Sequence, residues 1–103
     1  MNARVSHFES LVQAQPENEL FRFSLAQALV AAGRAREAIP HYQYCADKKA
    51  DWMMPRILLG KLLLAEQRRA EAKALLEDAL ALAIAQNHEE PERDLRALLA
   101  ELP

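Results

Sequence analysis

Apolar residues recur along this chain with the period of an α-helix. In one stretch they stand among polar residues at Leu20, Phe23, Leu25, Ala26 and Leu29. A second stretch shows helical spacing again, at Ala38, Ile39, Tyr42, Cys45 and Ala46. Over the whole chain the pattern predicts six helices, over about 3–15, 18–32, 36–49, 54–66, 70–86 and 91–101.

Gly33 marks the turn between the second and third predicted helices. It stands where a helix C-terminus requires a left-handed residue, which Gly adopts without steric cost. Pro40 follows early in the third helix, and the first four amides of a helix have no intrahelical acceptor. If that helix begins near Arg36, Pro40 is harmless and the stretch is a helix–turn–helix.

The helix–turn–helix pattern recurs further along the chain. When the sequence is aligned with itself so that Leu25 falls on Leu59, further positions align with an identical residue. These are Leu29, Arg34, Glu37 and Ala38. Small or apolar residues meet as well, with Tyr42 on Leu76 and Cys45 on Ala79. These matches fall where the two helices of a hairpin must pack, so the sequence predicts a repeated helical hairpin.

The repeated hairpin resembles the tetratricopeptide repeat, a helix–turn–helix unit of about 34 residues. This chain supplies the family's positions as Leu25-Ala26, Leu29, Gly33, Ala38, Tyr42 and Cys45, then as Leu59-Gly60, Leu63, Ala72, Leu76 and Ala79. It departs from the family at the first-helix Trp, which Arg22 and Arg56 replace, and at the second turn Gly, which Gln67 replaces. The small residues are expected to let paired helices approach closely.

The resemblance implies an all-α fold, a short right-handed α-solenoid with capping helices at both ends. We expect a single domain over 1–103 with four segments: an N-terminal half-repeat helix in 1–18, repeats over 19–52 and 53–86, and a capping helix in 87–103. The last segment suits a cap because Leu95, Leu98, Leu99 and Leu102 form one apolar stripe. Solenoids need such caps, since an end repeat otherwise leaves its stacking face in water.

Composition and charge narrow the classes of partner. Charged residues make up 27% of the chain with a net charge of -2, and basic and acidic residues are interleaved. Without a basic face, a nucleic-acid partner is not expected. The longest apolar run, 57–65, contains Lys61 and is far shorter than the ~20 residues of a membrane span. A single Cys and a start without an apolar signal segment favour a cytoplasmic protein.

His41 and Cys45 are the strongest candidates for chemistry. They stand four residues apart on one helical face, which suggests a metal site or a Cys/His nucleophile pair. The alternative is that Cys45 fills a small-residue packing position beside a partly exposed His41. Neither a further carboxylate ligand in register nor a Gly-rich phosphate loop accompanies them. We therefore expect no metal, no cofactor and no catalytic residue, and not an enzyme.

In the tetratricopeptide family, the first helix of each repeat lines a concave groove. Carried over to this chain, the resemblance implies a lining of Leu20, Phe23, Gln27, Val30 and Ala31, followed by Met54, Ile57, Lys61, Leu64 and Ala65. Family members that hold a C-terminal carboxylate use Lys and Asn where this chain has Phe23 and Gln27, so such tails are not expected ligands. Trp52 either joins this surface or plugs the junction between repeats.

An apolar groove of this kind needs an occupant, because monomeric proteins rarely expose large apolar patches. The groove is expected to bind an apolar segment of a partner protein or peptide. As an alternative, the same surface pairs two copies in a homodimer. In a third arrangement the C-terminal leucine helix folds back into the groove, although a role as a simple cap is favoured. The sequence thus predicts a non-catalytic protein-interaction module.

Overall fold

The computed structural model describes residues 2–102 and shows six α-helices there and no strand. The helices are α1 (Ala3–Ala14), α2 (Glu19–Ala31), α3 (Ala35–Lys48), α4 (Met53–Ala65), α5 (Arg69–Ala85) and α6 (Glu89–Ala100). The six predicted helices are confirmed, with ends that differ by no more than two residues. The terminal residues 1 and 103 of the predicted domain lie outside the described part.

The chain divides into two units, Met1–Ala50 and Asp51–Pro103. In the first unit α2 and α3 form a helical hairpin, and α1 packs against α2. In the second unit α4 and α5 form a hairpin, and α6 packs against α5. The boundary falls close to the predicted division between the two repeats, and the single domain over 1–103 stays a prediction.

Small residues hold the helices of each hairpin close together. Ala26 and Ala38 are fully buried in the first hairpin, and Ala72 and Ala79 are fully buried in the second. At Gly60 a Cβ atom would lie only 2.7 Å from Cδ2 of Leu76 and 3.6 Å from the carbonyl oxygen of Ala72, so a larger residue on α4 would clash with the Leu76 side chain of α5. The predicted close approach at small residues is therefore confirmed.

Three helices end in the same left-handed turn, at Gly33 (φ 78°), Gln67 (φ 64°) and Asn87 (φ 59°). The amide after each of these residues donates to the carbonyl five positions back, in the pairs Arg34–Leu29 (2.8 Å), Arg68–Leu63 (2.8 Å) and His88–Ala83 (2.9 Å). This is the Schellman arrangement, which satisfies carbonyls that a helix end leaves free. Gln67 therefore takes the conformation that Gly33 takes, as its position in the repeat predicts.

Pro40 stands deeper in its helix than the sequence predicts. Since α3 begins at Ala35, Pro40 is the sixth helical residue and lies beyond the amides that lack an intrahelical acceptor. It has no amide hydrogen for the carbonyl of Arg36, yet the helix continues to Lys48. The explanation that Pro40 belongs to the free first turn is wrong. Tertiary packing of Ala38, Tyr42 and Cys45 holds this helix across the proline.

Candidate functional site

Helix α2 has one face buried in the core of the first unit and another face that is largely exposed. Its buried residues are Leu25, Ala26, Ala28 and Leu29. The side chains predicted to line a groove lie on another face, where Leu20 is 59% exposed and Val30 38% exposed. Gln27 and Ala31 are exposed as well. The predicted lining residues of α2 therefore form a largely accessible stripe, apolar except for Gln27.

Phe23 is the half-buried member of that stripe. Its ring meets the ring of Tyr42 edge to face, with the ring centroids 5.6 Å apart and an angle of 70° between the planes. Aromatic pairs favour this geometry because the positive edge of one ring meets the negative face of the other. Phe23 is therefore anchored to the hairpin core through Tyr42, and part of its surface stays accessible.

Helix α4 presents the corresponding positions in the second unit. Met54, the counterpart of Leu20 in the repeat register, is 43% exposed, Lys61 is exposed and Leu64 is half-buried. Ile57 is only 9% exposed and belongs to a core cluster with Met53, Leu76, Ala79, Ala83 and Leu95. Ile57 is thus a core residue with only a small accessible surface. A charged residue at this position would disturb the fold.

Trp52 directly precedes α4, at its N-cap position, and is half-buried. Its side chain provides no capping hydrogen bond, while its carbonyl accepts a hydrogen bond from Nη1 of Arg56 at 2.9 Å. As a half-buried residue, Trp52 keeps part of its surface accessible next to Met53 in the chain. A binding role for Trp52 stays a prediction.

Helix α6 contributes to the accessible surface beside α4, although none of its residues is among the predicted groove lining. A cleft of about 320 Å³ between α4 and α6 is lined by Ile57, Lys61, Pro91, Asp94, Leu95 and Leu98. Leu95 is 2% exposed in the core cluster, and Leu98, Leu99 and Leu102 pack against that cluster. The helix that was expected to cap the last hairpin is therefore also one wall of a cleft. Pro91 and Leu95 in α6 have the same spacing as Pro55 and Leu59 in α4. This similarity of the two helices is a sequence signal for the role of α6 in the cleft.

His41 and Cys45 have different surroundings. The Cys45 thiol is fully buried and donates to the carbonyl of Glu19 at 3.3 Å, and burial raises its pKa to about 11. A reactive cysteine requires a lowered pKa, so Cys45 has the character of a packing residue. Nδ1 of His41 is buried and has no hydrogen-bond partner among residues 2–102.

Burial lowers the pKa of His41, the Arg22 charge acts in the same direction, and Glu9 opposes both. His41 is therefore held toward its neutral form. Within the described residues no group of three or more His, Cys, Asp or Glu side chains is arranged to hold a metal ion. None of the helices there combines the length and the apolar character that crossing a bilayer requires.

Comparison with known proteins relates the chain to a protein with tetratricopeptide repeats. The chain is 30% identical over 69 residues to DnaJ homolog subfamily C member 3 of Rattus norvegicus. The match covers 67% of this chain and 14% of the relative, so the chain corresponds to a small part of that protein. No protein-family model matches the sequence. The similarity and the all-helical structure fit a tetratricopeptide-like protein.

Proposed function

We propose that this chain is a non-catalytic protein-interaction module of the tetratricopeptide kind. Its two hairpins are repeats of a short right-handed solenoid, α1 is the N-terminal half-repeat and α6 is the C-terminal cap. The first helices of the repeats, α2 and α4, bind an apolar segment of a partner protein.

The observation that carries this proposal is the position of the exposed apolar side chains. Four large hydrophobic residues of the described chain are exposed: Leu20, Val30, Met54 and Ile84. Three of them occupy groove positions that the resemblance had implied, and Leu20 and Met54 are equivalent in the two repeats. Exposed apolar side chains at equivalent positions of both hairpins offer a partner segment apolar surface to bury.

The repeated local geometry supports the same proposal. Helices α2 and α4 each contain 13 residues, and each is followed by a left-handed turn residue. After each turn an Arg forms a pair of hydrogen bonds with a Glu three residues on. The distances are 2.7 and 2.7 Å for Arg34–Glu37, and 3.0 and 2.7 Å for Arg68–Glu71. The 30% identity to a protein with tetratricopeptide repeats supports it as well.

The experiment changes the exposed groove residues and leaves the core intact. The double variant Leu20→Glu, Met54→Glu is compared with Ile84→Glu, whose residue is 46% exposed on α5 and outside the predicted groove. The probes are short peptides selected from a random phage library against the wild-type chain. Because full burial of one large apolar side chain contributes roughly 1.5–3 kcal/mol, the double variant should bind them about 100-fold more weakly. Ile84→Glu should bind like the wild type.

Circular dichroism and light scattering complete the test. Both variants should retain wild-type helicity, since the changed side chains lie outside the cores. A library that yields no binding peptide, or equal binding by the double variant, would contradict the proposal. A wild-type mass that doubles over a concentration series, and stays single in the double variant, would instead establish the homodimer that uses the same surface.

A further inference from the structure

The cleft between α4 and α6 combines apolar walls with one charged group from each helix. Its apolar lining residues are Ile57 on α4 and Pro91, Leu95 and Leu98 on α6. Lys61 lies on the α4 side and Asp94 on the α6 side. Its volume of about 320 Å³ is at the lower end of ligand pockets, which span about 300–1,000 Å³. The cleft is therefore suited to one or two side chains and is too small for a whole helix.

The two charged side chains of the cleft are exposed to solvent. Lys61 is exposed and forms no ion pair within the part of the chain that the structure describes. Asp94 lies 3.8 Å from the guanidinium of its neighbour Arg93, and both side chains are largely exposed. Glu89, Glu90 and Glu92 also stand in the first turn of α6, and Glu92 is paired with Arg96. The cleft thus has a basic side on α4 and an acidic side on α6.

We propose that this cleft selects the partner segment by its charge order. The segment places one large apolar side chain between the walls, an acidic residue beside Lys61 and a basic residue beside Asp94. This inference rests on the proposed function and assigns part of the recognition surface to α6, for which a capping role was favoured. Apolar burial supplies affinity, while the opposed charges set orientation and reject segments of a single sign.

Reversal of each cleft charge tests the inference. A peptide from the wild-type selection is measured by fluorescence anisotropy against the full chain, Lys61→Glu and Asp94→Lys. Loss of an exposed charge pair should weaken binding about fivefold for each variant. Exchange of the acidic residue of the peptide for Lys should restore binding to Lys61→Glu. Exchange of its basic residue for Glu should restore binding to Asp94→Lys.

Two control variants change the charge equally outside the cleft. Lys48→Glu lies at the end of α3, and Asp78→Lys is exposed on α5, so both should bind the wild-type peptide normally. Fivefold losses that the matching peptides restore support the inference. Peptides that lose affinity for the Leu20→Glu, Met54→Glu variant but bind both cleft reversals normally would overturn the inference and leave the proposed function standing. A selected pool without binding peptides would overturn both.

Discussion

The hairpins α2–α3 and α4–α5 bury equivalent positions with different side chains. Their helices begin at equivalent positions of the repeat register, α2 at Glu19 and α4 at Met53, then α3 at Ala35 and α5 at Arg69. Three pairs of equivalent core residues differ: Ala26 and Gly60, Tyr42 and Leu76, and Cys45 and Ala79. Two of these pairs exchange one small residue for another, and Tyr42 and Leu76 differ in size and shape. The difference teaches that this hairpin requires a small side chain at some helix contacts but accepts different large side chains at another.

The outer faces of the two hairpins differ more than their cores. Phe23 and Val30 of the first hairpin keep more accessible surface than their counterparts Ile57 and Leu64. The cause lies in α6, because Leu95 shares a core cluster with Ile57 and Leu64 packs against that cluster. The same register therefore gives an open apolar stripe in the first unit and a narrower cleft in the second.

The largest expected effect concerns the small residues of the hairpins. Ala72→Leu should lower the free energy of unfolding by roughly 1–3 kcal/mol, because Ala72 is fully buried where α5 approaches α4. Ala38→Leu should have a similar effect in the first hairpin. Urea denaturation followed by circular dichroism measures both.

The control for this prediction is Ala74→Leu, at an exposed position of α5. Its stability should stay within about 0.5 kcal/mol of the wild type, since surface substitutions away from special features have small effects. Wild-type stability in either core variant would show that its hairpin lacks the tight contact.

Substitutions of the two turn residues should change the free energy of unfolding by an intermediate amount, and in opposite directions in the two hairpins. Gly33→Gln should destabilise by roughly 1–2 kcal/mol, because a left-handed conformation costs an L-residue that much. A Cβ at Gly33 would have no atom within 4 Å, so backbone strain acts alone. Gln67→Gly removes the corresponding strain but raises the conformational entropy of the unfolded chain. The two effects oppose each other, so this change should be neutral or mildly stabilising. Equal responses of the two turns in urea denaturation would refute their equivalence.

The smallest effect is the pH dependence that His41 confers on the first hairpin. Its folded pKa is lowered from the ordinary 6.5 by burial and by Arg22, so the unfolded chain binds the proton more tightly. The contribution of His41 to the free energy of unfolding should be fully present above pH 6.5. It should decrease as the pH falls below this value and level off below the folded pKa. Urea denaturation between pH 7.5 and about 4.5 measures this loss.

Leu75 is the counterpart of His41 in the second hairpin and suggests the matched variant His41→Leu. This variant should lose less stability between pH 7.5 and 6 than the wild type does. His7→Leu, an exposed histidine on α1, serves as the control and should leave the pH dependence unchanged. An identical pH profile in His41→Leu and the wild type would contradict the assignment.

Much of the fold was predictable from residues close together in the chain. Helical periodicity located all six helices, and the repeat register identified Gln67 as the partner of Gly33 and Ala72 as a buried contact. The position of Pro40 was misjudged, because a first-turn rule is local whereas packing of the surrounding helix faces is not. The exposed residues Leu20 and Met54 of the candidate site were identified from the register.

The sequence by its own pattern established the helices, their turns and the small residues between them, because each depends on spacings of a few residues or on one repeat. Only the tertiary structure decided how accessible each predicted groove position is. Ile57 is buried and Lys61 stands in a cleft because α6, far along the chain, packs beside them. Burial depends on which distant helix covers a side chain, and no periodicity within α4 contains that information.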